Sequence, residues 1–149
     1  IPTAVVDWKD HADRAAFTAA VCDTITDAGA EAMALAGFMR ILSAEAVRRF
    51  PNRIVNVHPA ILPAFPGAHA VSQALEHGVK VTGVTVHVVD GLVDHGPIIA
   101  QEAVPVLPGD TEATLHARIQ AVEHRIYPEA VAALASGRLR VEGRTVFWQ

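Results

Sequence analysis

Residues 59 to 67, "PAILPAFPG", place three prolines and a closing glycine in one short stretch. Each proline holds φ at about −65° and removes a backbone donor, so neither a helix nor an interior strand can run through it. The chain must form a stiff loop here. Before the loop comes "RIVNVH" (53 to 58), an apolar run of strand character that stops on two polar side chains. In a strand, positions i and i+2 share a face, so Asn56 and His58 project together from the C-terminal end. That end is where open α/β sheets bind ligands. An uncharged amide donor beside an imidazole could hold a carbonyl oxygen that becomes an oxyanion. A capped strand followed by an ordinary proline-rich turn accounts for the same spacing.

The rest of the chain alternates helical and strand patterns, which predicts an α/β fold with mostly parallel strands. Ala12, Ala15, Ala16, Ala19, Ala20 and Ile25 recur at helical spacing between Asp10 and Ala28, with Gly29 as a stop. "AMALAG" (32 to 37) suits a strand buried on both faces. Ser43 is a candidate N-cap for a helix that must end near Phe50, ahead of Pro51. Residues 69 to 77 suit a short helix closed by Gly78, and "KVTGVTVHVVD" (80 to 90) and "IIAQEAVPV" (98 to 106) suit strands around a "DGLVDHGP" loop. Asp110 or Thr111 caps a long helix carrying Leu115, Ile119, Val122 and Ile126, which Pro128 is expected to kink or restart. "RLRVEGRTVFW" reads as a terminal hairpin turning at Glu142-Gly143.

A chain of 149 residues suits one domain spanning 1–149. Twelve Lys and Arg against sixteen Asp and Glu give a net charge of −4, no footprint for nucleic acid or an anionic membrane. The single Cys22 cannot form an internal disulfide, and no apolar run is long enough to span a bilayer, so a soluble cytoplasmic protein acting on small molecules is expected.

Asp90, Asp94 and His95 sit in the "DGLVDHGP" loop, where Asp and Gly serve turns; a carboxylate from this loop near His58 would also orient the imidazole and raise its pKa. No metal spacing motif is present, so metal is not expected, and His77 and His87 are read as structural. His116, Gln120 and Glu123 form one polar strip on the long helix, a pattern that usually faces solvent. The glycines form no phosphate-cradling motif.

"LAGFMRIL" (35 to 42), "NVHPAILPAFPGAH" (56 to 69), "GVTVHVVDGLVDHGPIIAQ" (83 to 101) and "VEHRIYPEAVAALASGRL" (122 to 139) together closely resemble the phosphoribosylglycinamide formyltransferases, folate-dependent enzymes of purine synthesis. The resemblance implies a Rossmann-like formyltransferase fold, with a mostly parallel twisted sheet, flanking helices and a C-terminal β-hairpin. It implies a donor, 10-formyltetrahydrofolate, an acceptor, glycinamide ribonucleotide, and no metal. It assigns Asn56, His58 and Asp94 to catalysis. Phe38, Met39, Arg40, Ile41 and Leu42, with Val89, Asp90, Gly91, Leu92, Val93, Asp94 and Asn56, match the segments around the folate. Pro59, Gln120 and Glu123 match contacts to the ribonucleotide. The family's upstream first strand and "GNGSNL" phosphate loop have no counterpart here, so an N-terminal part is expected to be missing. A deformylase on the same scaffold and a folate-binding module without catalysis are the alternatives. The oligomeric state, a dimer included, is left open.

Overall fold

The first helix starts at an acid that the apolar spacing passes over. In the computed structural model, which describes residues 1–149, the Asp13 carboxylate accepts the Ala16 N–H at 2.8 Å. Helix α1 therefore runs Arg14–Asp27, behind a 3-10 turn at Trp8–Asp10, and is shorter than its periodicity suggests. A side-chain acceptor for the orphan N–H groups sets the boundary. The buried residues of α1 are Phe17, Thr18 and Cys22, while Ala12, Ala15, Ala16 and Ala19 are exposed. Larger side chains gain more from leaving water, so they take the core side and the alanines the outer one.

Strand β1 (Met33–Leu35) is an edge strand, with Met33 buried and Ala34 exposed. The two-sided burial expected of "AMALAG" is therefore not found: the Met33 face packs with Cys22 and Phe50, the opposite face at Ala34 is open, and one neighbour, β2 (Ile54–His58), pairs with the strand. Helix α2 (Ala44–Arg49) opens on the Ser43 cap and closes at Phe50, as read. Then follow α3 (Ala70–Glu76), β3 (Val81–Val88), β4 (Ile98–Pro105), α4 (Glu112–Ala135), β5 (Leu139–Glu142) and β6 (Thr145–Trp148). The sheet order is β1-β2-β3-β4-β6-β5. Strands β1, β2, β4 and β6 run one way, and β3 and β5 the other. Helix α3 does not make β3 parallel to β2. The proline loop and α3 stay at the C-terminal end of β2, so β3 starts there and runs back, pairing His58 with Thr85 and Val55 with Val88.

Thr111, not Asp110, caps α4 through Thr114; Asp110 instead pairs with Arg118 at 2.8 Å. Pro128 lies within a helix that continues to Ala135 and does not restart. Its ring sits on the exposed side, and burial of Ile126, Ala130, Ala133 and Leu134 carries the helix past the hydrogen bond that it removes. In the terminal hairpin Glu142 pairs with Thr145, so the two turn residues are Gly143 and Arg144, with Gly143 at φ +58°. No helix is long and apolar enough to cross a membrane.

Strand alternation divides the core and creates the site. On β2, Ile54 joins a cluster with Cys22, Met33, Leu42, Ala46 and Phe50 beneath α1 and α2. Val55 joins the opposite cluster, where Val84, Val86 and Val88 of β3 meet Leu115, Ile119 and Ile126 of α4. Asn56 and His58 therefore share the face of Ile54, next to Thr85 and His87 of β3. The proline loop crosses this polar face. Thr85 Oγ1 donates to the Ala60 carbonyl (2.7 Å) and accepts the Leu62 N–H (3.0 Å), while Gln101 Nε2 donates to both Thr85 Oγ1 and the Leu62 carbonyl (2.9 Å each). Two residues before Thr85, Gly83 makes room for the loop: a Cβ there would lie 2.1 Å from the Glu102 carbonyl oxygen and 2.5 Å from Ile61 Cδ1. Gly83→Ala is expected to cost about 1–3 kcal/mol, the range for overpacking a fitted core, measured as a lowered denaturation midpoint at unchanged slope.

Candidate active site

His58 is 4% exposed and both its ring nitrogens face acceptors. Nε2 lies 2.7 Å from the Phe65 carbonyl oxygen, and Nδ1 lies 3.3 Å from Asp94 Oδ2. A ring carrying both protons is the form that satisfies both sides. Phe65 can present its carbonyl because the loop bends there at φ +53°, between Pro63 and Pro66. The prolines thus anchor the imidazole, leaving its Nδ1 edge to share a proton with Asp94.

Asp94 sits at φ +50°, and its Oδ2 also accepts the Gly67 N–H at 2.7 Å, tying the β3–β4 loop to the proline loop. Its Oδ1 lies 3.6 Å from His87 Nε2. The His87 imidazole, then the Gly67 N–H and the His58 charge, outweigh burial and lower the carboxyl pKa from 3.8 to about 2. Asp94 is therefore a carboxylate at every working pH.

His87 completes the cluster and was read as structural. Its Nδ1 lies 3.0 Å from the Val88 carbonyl oxygen, and its Nε2 stands between Asp94 Oδ1 at 3.6 Å and Asn56 Nδ2 at 3.4 Å. The Asn56 amide itself lines the cleft. The cue was its place two residues after Thr85 on a strand, but only the antiparallel register Asn56↔His87 brings it to the site. His77 does play a structural part, its ring packed on Phe65 at 5.3 Å. No group of three or more His, Cys, Asp or Glu side chains gathers in metal-binding geometry.

Above this floor opens a cleft of about 780 Å³, lined by every residue that the resemblance assigned to catalysis, the folate or the ribonucleotide. One lip is Phe38–Leu42. There Met39 and Ile41 are exposed and Leu42 is buried, while the Arg40 guanidinium lies 4.4 Å over the Trp8 ring. The other lip is Val89–Val93, with Leu92 and Val93 exposed. Asp90 accepts the Leu92 N–H at 2.9 Å, the turn role expected of it. Two apolar lips over a polar floor suit a flat ring system carrying a few hydrogen-bonding edges.

The far wall belongs to α4. His116, Gln120 and Glu123 line the cleft, so the strip, whose pattern alone usually marks a solvated face, points into the site, and Glu112 joins it. Burial raises the Glu123 carboxyl pKa, while His116 and His124 pull it down. Pro59 lies between this wall and His58 along the chain, also on the cleft. Tyr127 fixes the position of the helix: its hydroxyl reaches the carbonyl oxygens of Leu35 (2.7 Å) and Val55 (3.1 Å), and burial pushes its pKa up.

Comparison with known proteins places this geometry. The family model described as "Formyl transferase" matches residues 1–131. Phosphoribosylglycinamide formyltransferase of Mycobacterium tuberculosis is 50% identical over 145 residues, covering 97% of this chain and 67% of that protein. The trifunctional purine biosynthetic protein adenosine-3 of Gallus gallus is 47% identical over 150 residues, 100% of this chain and 15% of its own length. Among solved structures, glycinamide ribonucleotide transformylase 1 from Symbiobacterium toebii superposes with a TM-score of 0.92 at 54% identity, over 95% of this chain and 67% of that one.

Proposed function

This chain belongs to the formyl transferase family, and from that premise we propose that it transfers the formyl group of 10-formyltetrahydrofolate to the amine of glycinamide ribonucleotide in purine synthesis. One observation carries the reading. Asn56, His58 and Asp94 meet on the floor of a cleft with two apolar lips on one side and the polar strip of α4 on the other. A folate ring fits between Phe38–Leu42 and Val89–Val93, and Glu123 with Gln120 and Pro59 faces the ribonucleotide.

The amine lone pair attacks the formyl carbon, and the carbonyl electron pair moves onto oxygen. The amide N–H of Asn56 meets that oxyanion, where preorganised donors act most strongly, and the charged His58 ring, held by Phe65 and Asp94, stabilises it at short range. The attacking nitrogen then loses a proton, the bond from the formyl carbon to the folate nitrogen breaks with its electron pair going to that nitrogen, and a proton joins it. Asp94, an ionised carboxylate beside His58, keeps the imidazole charged and oriented and takes part in that proton traffic.

Mixing the chain with both substrates should yield deformylated folate, followed by absorbance, and formylated ribonucleotide, identified by mass, in equal amounts. Formate release without the ribonucleotide would replace this reading by deformylation. Folate binding without either product would replace it by a binding module.

A further inference from the structure

The β3–β4 loop, residues 89–97, has no helix or strand of its own, yet it carries both Asp94 and the Val89–Val93 lip. Packing does not brace it from behind. A cavity of about 230 Å³ lies there, between the loop, Pro63 and Pro66 of the proline loop, and Arg144 in the turn of the C-terminal hairpin. Across this space one side chain reaches the loop. Arg144 Nη2 donates to the His95 carbonyl oxygen at 2.7 Å, and Nη1 lies 3.3 Å from both His95 ring nitrogens. His95 Nδ1 in turn reaches Asp90 Oδ2 at 2.8 Å, while Asp90 Oδ1 holds the Leu92 N–H. Next along the chain, Gly96 presses against β3 so closely that a Cβ would lie 1.8 Å from the Val88 carbonyl oxygen. The loop is thus pinned at its exit and clasped at its crown, with Asp94 at φ +50° inside the clasp, between Asp90 and His95.

We propose that Arg144 is a positioning residue for formyl transfer, which through His95 and Asp90 holds the β3–β4 loop so that Asp94 stays on His58 and Leu92 and Val93 form the folate lip. The proposal rests on the transfer reading of the site. Arg144 and His95 are exposed, so the clasp adds little to global stability; its effect is on geometry.

Arg144→Ala in the whole chain should lower kcat at least about tenfold, towards the roughly hundredfold that a misplacement of about 1 Å can cost, and raise KM for the formyl donor. Its melting temperature should shift by no more than about 4 °C. Arg144→Lys keeps one donor for the His95 carbonyl and should recover part of the loss. Arg140→Ala removes a cation of the same hairpin whose partners, Glu142 and Phe147, lie within the hairpin, and should match the unaltered chain. Amide exchange across Val89–Gly96 should quicken at least about tenfold in Arg144→Ala and not in Arg140→Ala. Unchanged kinetics and exchange in Arg144→Ala would overturn the proposal, and so would an equal loss in Arg140→Ala. If the unaltered chain transfers no formyl group, the functional reading fails instead, and the exchange comparison decides the clasp.

Discussion

Asp94→Asn is expected to lower turnover by roughly 10²–10⁴-fold, the span that positioned proton-transfer groups supply, with KM for both substrates changed only slightly. The variant is chosen for its backbone: residue 94 sits at φ +50°, a conformation that Asn adopts readily and Ala does not. Asn also keeps an oxygen for the Gly67 N–H, so the two loops stay tied. What it loses is the negative charge facing His58 Nδ1 and His87 Nε2. Steady-state kinetics on both substrates check this, and turnover within a few-fold of the unaltered chain would remove Asp94 from the mechanism. The same substitution has a signature in acid. A carboxyl pKa lowered from 3.8 to about 2 stabilises the fold where the group is ionised. That contribution is complete well above 3.8 and is lost as pH falls through the window down to about 2. Unfolding followed across this window should show a shallower loss of stability in Asp94→Asn.

Asn56→Ala is expected to lower kcat by roughly 10²–10³-fold, the cost of removing one preorganised donor from a developing oxyanion. Its side chain is half-buried and makes one weak bond, to His87 at 3.4 Å, so the fold has little at stake. Asn56→Asp, of nearly the same shape, should be at least as damaging, because it sets a second carboxylate beside Asp94 and turns a donor into an acceptor. Single-turnover measurements, which separate chemistry from release, check both variants. An Asn56→Asp enzyme as active as the unaltered one would contradict oxyanion stabilisation by this amide.

What could be read from the sequence was local. Ser43 names the start of α2, Pro51 its end, and the i, i+2 spacing of Asn56 and His58 their common face. Each depends on residues a turn or two apart. His87 was out of reach because its membership depends on a strand pairing formed across the proline loop and α3, with nothing in "TVHV" to say which neighbour it faces. The strip His116, Gln120, Glu123 was legible as a strip, but its surroundings came only from the motif resemblance, since periodicity tells which side chains travel together and is silent on what covers them. In α1 the alanines gave the better pattern and Phe17 with Cys22 the larger burial, and area prevailed. Asp94 lies in a loop at positive φ, where no periodicity operates, and only the motif resemblance pointed to it.

The loop that anchors His58 is gripped by main-chain groups, the Ala60 and Leu62 carbonyls and the Leu62 N–H, and the hands that grip it, Thr85 and Gln101, belong to other strands. Its conformation is therefore written largely outside its own residues. An engineer who grafts "PAILPAFPG" onto another sheet should expect it to lose its shape, whereas changing Ala64 within its present setting should be forgiven. The transplantable unit is the loop together with a glycine, a threonine and a glutamine more than fifteen positions downstream.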